Sequence, residues 1–155
     1  MEGTMISQML VRLIETHAEE LTARWLKDVR VHPDTPMYRT FPDEKLKARA
    51  IHVYSHLGRW IGAEARCEEI QESYRALGAE RFREGFRLSE VIAALMLTKK
   101  QLWIFVLEHG LLDSVVHLYQ TLELYNSVTT YFDRAAFYTI QGYEEVVSAG
   151  LRRTA

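Results

Sequence analysis

Cysteine is nearly missing from this chain. Cys67 stands alone, so no disulfide can form within it and a multi-cysteine zinc site is excluded. Proline occurs only at 33, 36 and 42, which leaves the long stretches on either side free of helix breakers. The longest uninterrupted apolar run, residues 91–97, falls far short of the ~20 residues of a membrane span. At the N-terminus Glu2 and Glu15 flank a short apolar run, which is not the pattern of a cleavable leader. A net charge of -2 gives no general attraction to nucleic acid or to an anionic membrane. Alternating β-branched stretches are lacking, as are Asn-Gly and Asp-Gly turns. No glycine-rich phosphate loop, Gly-x-Ser-x-Gly elbow or HExxH motif is found. The expectation is a cytoplasmic, non-catalytic protein with no cofactor, no nucleic-acid partner and no membrane partner.

What the chain does contain is helical periodicity. Its 155 residues, 48% hydrophobic and 26% charged, suit one domain with a real core. The predicted fold is all-α, a single-domain bundle of about five helices over residues 1–148, with a tail at 149–155. The first helix is expected over residues 4–30, burying Ile6, Leu10, Leu13 or Ile14, Leu21, Trp25 and Val29. Residues 32–42, HPDTPMYRTFP, hold every proline and read as an ordered strap that packs Tyr38 and Phe41 onto the bundle. A second helix starts at Asp43 with the stripe Leu46, Ala50, Val53, Leu57 and Trp60, and breaks at residues 62–64. A third runs over residues 66–84, with Ile70, Tyr74, Leu77 and Phe82 inward and Gly85 as its stop. Ser89 is expected to cap the fourth and most buried helix, which Gly110 ends.

The last helix, residues 111–147, is capped by Asp113 or Ser114 and carries two adjacent apolar rows. One is Leu111, Val115, Leu118, Leu122, Tyr125, Thr129, Phe132, Ala136, Ile140 and Tyr143. The other is Leu124, Val128, Tyr131, Ala135 and Tyr138. Together they are wider than the stripe of an ordinary surface helix. Such a helix is central to a bundle or shared with a second chain. Tyr131 and Tyr138 are the candidate association face, through which a homodimer or a partner would dock. Trp25, Leu57, Leu95, Leu122 and Phe132 are expected to be largely buried.

The second helix also carries a cationic row: Lys45, Arg49, His52, His56 and Arg59. His52 and His56 have a metal-binding spacing, yet no carboxylate joins them and two arginines flank them, so no metal is expected. The row is a candidate face for an anion or an acidic partner; alternatively it is a solvated surface paired with acids such as Glu15, Glu19 and Glu20. His17 and His109 are candidate haem ligands, but no Cys-x-x-Cys-His attachment site accompanies them. Glu68 and Glu69 beside Cys67 oppose a reactive thiolate. Asp133 and Arg134 are expected to have protein partners wherever they are buried.

Four pieces, LTARWLKDVR, HPDTPMYRTFP, LGAERFREGFRLSEVIAALMLTKKQLW and FDRAAFYTIQGYEE, stand in one order along the chain. Together they resemble the N-terminal domain of RsbRD-type RsbT co-antagonist proteins. The resemblance implies a helical sensory or regulatory module of bacterial stress signalling, with no catalytic residue or ligand to carry over. Such modules typically precede an output domain such as a STAS domain. Only a dozen residues follow Tyr143 here, so either a signal is expected to pass through contacts with a separate signalling protein, or the sequence is a piece of a longer one. The alternative is a small-molecule, haem or metal-binding sensor of the same shape.

Overall fold

A computed structural model describes residues 2–61, 67–109 and 114–154. The fold is all-α. Its helices are α1 (Glu2–Thr16), α2 (Ala18–Val31), α3 (Asp43–Ser55), α4 (Leu57–Ile61), α5 (Cys67–Arg83), α6 (Leu88–His109) and α7 (Val115–Thr154). A 3-10 turn, Pro36–Arg39, lies in the strap between α2 and α3. No strand occurs among the described residues.

Seven helices stand among the described residues where about five were expected, because two predicted helices are each interrupted at one histidine. His17 leaves helical geometry at φ -101°, ψ 24°, and His56 does so at φ -114°, ψ 15°. Ring Nδ1 of His17 lies 2.8 Å from the Leu13 carbonyl, and that of His56 lies 2.9 Å from the His52 carbonyl. A carbonyl only accepts, so in each case the ring nitrogen donates. It competes with the backbone for that oxygen and loosens the turn. The expected break at residues 62–64, the Gly110 stop and the Asp113 cap lie outside the described residues, as do the side chains of Ile6 and Cys67.

Leu10, Ile14, Leu21, Trp25 and Val29 are buried along α1 and α2, and Leu46, Ala50 and Leu57 along α3 and α4. Polar atoms in this core find carbonyls of α6: Trp25 Nε1 donates to Ala94 at 3.1 Å, and the Tyr54 hydroxyl donates to Thr98 at 2.8 Å. The strap packs as expected, with Tyr38 buried and Phe41 half-buried. Arg30 holds it by donating to the carbonyls of Tyr38 and Phe41 and to Asp43. Thr35 Oγ1 donates to Val29, and the Met37 N–H donates to the buried Glu90 carboxylate.

Gly85 stops α5 at φ +88°, with Phe86 N–H donating to Arg81 and Gly85 N–H to Phe82. These two bonds form the glycine-ended Schellman cap. Ser114 caps α7, its Oγ accepting the His117 N–H at 3.1 Å. Ser89 caps nothing, because α6 begins at Leu88 and Ser89 lies inside its first turn.

The partner of α7 is chiefly α5, not α6. Gly78 and Gly142 meet at that crossing, and the buried row of α7 is Gln120, Leu124, Val128, Tyr131, Ala135, Thr139 and Gly142. Its other row is covered only from Phe132 onward: Leu122, expected in the core, is 55% exposed. Leu95 is half-buried, while α6 leaves Met96 and Leu107 in solvent. The expected tail is helical through Thr154 and lies exposed.

Candidate functional site

Because α3 packs on α2 and α5 packs on α7, an open groove of about 560 Å³ remains between α3–α4 and α5. Lys45, Arg49 and His52 line its α3 wall with Ala48 and Val53. Trp60 comes from α4, and Ser73, Tyr74, Ala76, Leu77, Glu80 and Arg81 come from α5. Three members of the predicted cationic row are therefore brought together, and two are not. His56 lies tilted against His52 with ring centroids 4.6 Å apart, and Arg59 pairs with Glu69 at 3.1 Å. Arg49 and Arg59 find their acids on α5 and just past its end, His56 interacts with the Glu15 charge, and Glu20 is taken by Arg24 at 2.9 Å.

At the inner end of the groove one carboxylate bridges two guanidinium groups. Glu84 Oε2 accepts Arg49 Nη2 at 2.5 Å, and Glu84 Oε1 accepts Arg81 Nη1 at 2.8 Å. Glu80 lies farther off, 3.6 Å from Arg49. The Arg49 guanidinium also rests over the Phe41 ring, 4.9 Å from its centroid. Its Nη1 is buried, with no acceptor among the described residues. Arg81 is only 5% exposed; burial, then the neighbouring Arg49 charge, pulls its pKa below the usual arginine value. Burial, then His56, likewise lowers His52, which favours its neutral form. Three cationic side chains and two carboxylates are thus gathered around one end of the groove.

Behind this groove lies a void of about 60 Å³ that shares Arg49, Val53, Tyr74, Leu77 and Arg81 with it and reaches Trp25 and Tyr38. Burial raises the Tyr38 phenol to about 12. The floor is fixed by the hydroxyl–hydroxyl bond between Tyr74 and Tyr131. Arg81 was missed in the sequence, although it stands seven residues after Tyr74 on the inward stripe of α5. A charge on an apolar stripe was the signal available.

The candidate association pair divides. Tyr131 is buried at 3% exposure and offers no surface, whereas Tyr138 is half-buried, with Arg134 Nη1 3.4 Å from its hydroxyl. Asp133 and Arg134 are exposed. Most of the exposed apolar side chains of α7 lie instead at its beginning, at Val115, Leu118, Tyr119, Leu122 and Tyr125, with Phe137 and Leu151 exposed singly farther on. His17 and His109, ring centroids 6.2 Å apart, both spend Nδ1 on a carbonyl and keep only Nε2 for a ligand. No group of three or more metal-binding side chains occurs among the described residues. No helix there is long and apolar enough to cross a membrane.

Comparison with known protein families matches residues 19–155 to the model for the RsbT co-antagonist protein rsbRD N-terminal domain. No curated protein and no solved structure matched the chain.

Proposed function

Because the chain belongs to the rsbRD N-terminal domain family, we propose that it is a non-catalytic regulatory module of stressosome-related, cytoplasmic signalling that works through protein contacts. The observation that supports a contact role is the uncovered start of α7. Val115, Leu118, Leu122 and Tyr125 recur at steps of three, four and three, and each is about half exposed or more. That is the heptad spacing with which one helix receives another. Exposed apolar side chains gathered in one row, unlike scattered ones, mark a contact site.

The occupant in this reading is a second copy of the chain, pairing its own α7 stripe. An identical helix supplies the same spacing, and the stripe itself carries no charge that would repel its copy. Sedimentation velocity at micromolar concentration tests this. The native protein is expected to sediment as a dimer and Leu122→Asp as a monomer with unchanged helicity. A native protein that stays monomeric overturns self-pairing and turns attention to a heterologous helix on the same stripe.

A further inference from the structure

The groove between α3 and α5 contains no residue of α7, so its role is separate from the contact stripe. We infer that it is a binding site for an aliphatic monocarboxylate, with the carboxylate on Arg49 and the chain over Val53, Trp60, Tyr74 and Leu77.

Three observations carry this. The first is the buried Arg49 Nη1 without an acceptor among the described residues. A charged donor taken from water and left unbonded bears its full desolvation cost, and native proteins seldom leave one so. Glu84 does not relieve it, because its two bonds come from Arg49 Nη2 and Arg81 Nη1 and neither reaches Arg49 Nη1.

The second is charge. Lys45, Arg49 and Arg81 face Glu80 and Glu84, which leaves an excess of one positive charge. One carboxylate neutralises that excess; a phosphate dianion would overshoot it. Arg also presents the planar N–H geometry that a carboxylate matches.

The third is the wall. Beyond the guanidinium end the groove is lined mainly by aliphatic and aromatic carbon, with His52 and Ser73 as its polar members, and it continues inward as the smaller void. Its volume falls in the range of small-molecule sites, which pair an apolar lining with a few placed polar groups. A bare anion would leave that lining uncovered, and an uncharged chain would leave Arg49 Nη1 without an acceptor.

Isothermal titration with decanoate below its micelle concentration tests the assignment. Saturable binding of one decanoate per chain is expected. Decanol should bind at least tenfold more weakly, inorganic phosphate should not saturate, and Arg49→Gln should weaken decanoate at least tenfold. Because Arg49→Gln also removes the pair with Glu84, a second variant is needed. Ala76→Trp fills the groove from its exposed wall and leaves the ion pairs in place, so it should abolish binding while melting like the native protein. The inference is overturned if decanoate fails to saturate, if decanol or phosphate binds as well as decanoate, or if a normally folded Ala76→Trp still binds. The oligomeric state of the native protein does not enter any of these readouts.

Discussion

Gly78 of α5 and Gly142 of α7 interlock. A methyl group on Gly78 would stand 2.0 Å from the Thr139 carbonyl oxygen, and one on Gly142 would stand 2.0 Å from the Arg75 carbonyl oxygen. Both obstacles are backbone, so neither can swing aside. Gly78→Ala and Gly142→Ala are each expected to cost about 3 kcal/mol or more by forcing the helices apart. Thermal melts should show a loss of about 6–12 °C. A variant that melts like the native protein would mean that the helices separate freely.

The helix caps give an asymmetric pair. Ser114→Ala removes the acceptor for the His117 N–H and should cost about 1 kcal/mol. Ser89→Ala removes no cap and should stay within about 0.5 kcal/mol of native. Chemical denaturation of the two variants checks the order; equal losses would contradict it.

Much of this fold was legible in the sequence, and what was missed has common causes. The inward row of α1–α2 and the strap announced themselves through apolar spacing and proline. Leu122 and Tyr131 exchange their expected places because the buried row of α7 also passes through Gln120, Thr139 and Gly142, which no hydrophobic pattern selects. Thr139 and Gly142 are buried because α5 approaches closely there, a fact belonging to a pair of helices and not to either alone. The same holds for the site. Lys45, Arg49 and His52 could be read from spacing, but Arg81 becomes a partner only once α5 lies opposite α3. His17 and His56 break their helices through a side-chain bond that periodicity does not register.

Alkali should unfold the protein between pH 10 and 12. Burial lifts Tyr38 and Tyr74 from 10.0 to about 12, and Tyr131 is raised further for the same reason. Above pH 10 the unfolded chain releases these protons first, so the stability they contribute is present below pH 10 and lost as pH rises toward 12. Tyr38 and Tyr74 are each worth about 3 kcal/mol across that window. In guanidinium titrations Tyr74→Phe should flatten the alkaline fall while costing about 1 kcal/mol at neutral pH. An unchanged slope would refute the assignment.

His52 works at the acid side. Its pKa is lowered in the fold, by burial first and by His56 second, so below about pH 6.5 the unfolded state binds the proton more readily. Its contribution to stability is complete above pH 6.5 and falls with acidification. Glu15, raised mainly by burial, acts in the opposite sense above its ordinary range, so the native curve combines both. The difference between native protein and His52→Asn isolates the histidine. That difference should narrow or reverse as pH falls from 7 toward 5, and a constant offset would argue against titration of His52.

The length of α7 gives its glycine crossing a mechanical meaning. From Gly142 back to Val115 the helix runs about 40 Å, so a tilt of about 5° pivoting there sweeps the distant tip through about 3–4 Å. The crossing glycines sit near one end of α7 and the uncovered stripe at the other, with the buried row of Gln120, Leu124, Val128 and Tyr131 between them. The opposite wall of α5 faces the cationic groove. Any change in the angle at which α7 crosses α5 is therefore largest, in ångströms, at the stripe.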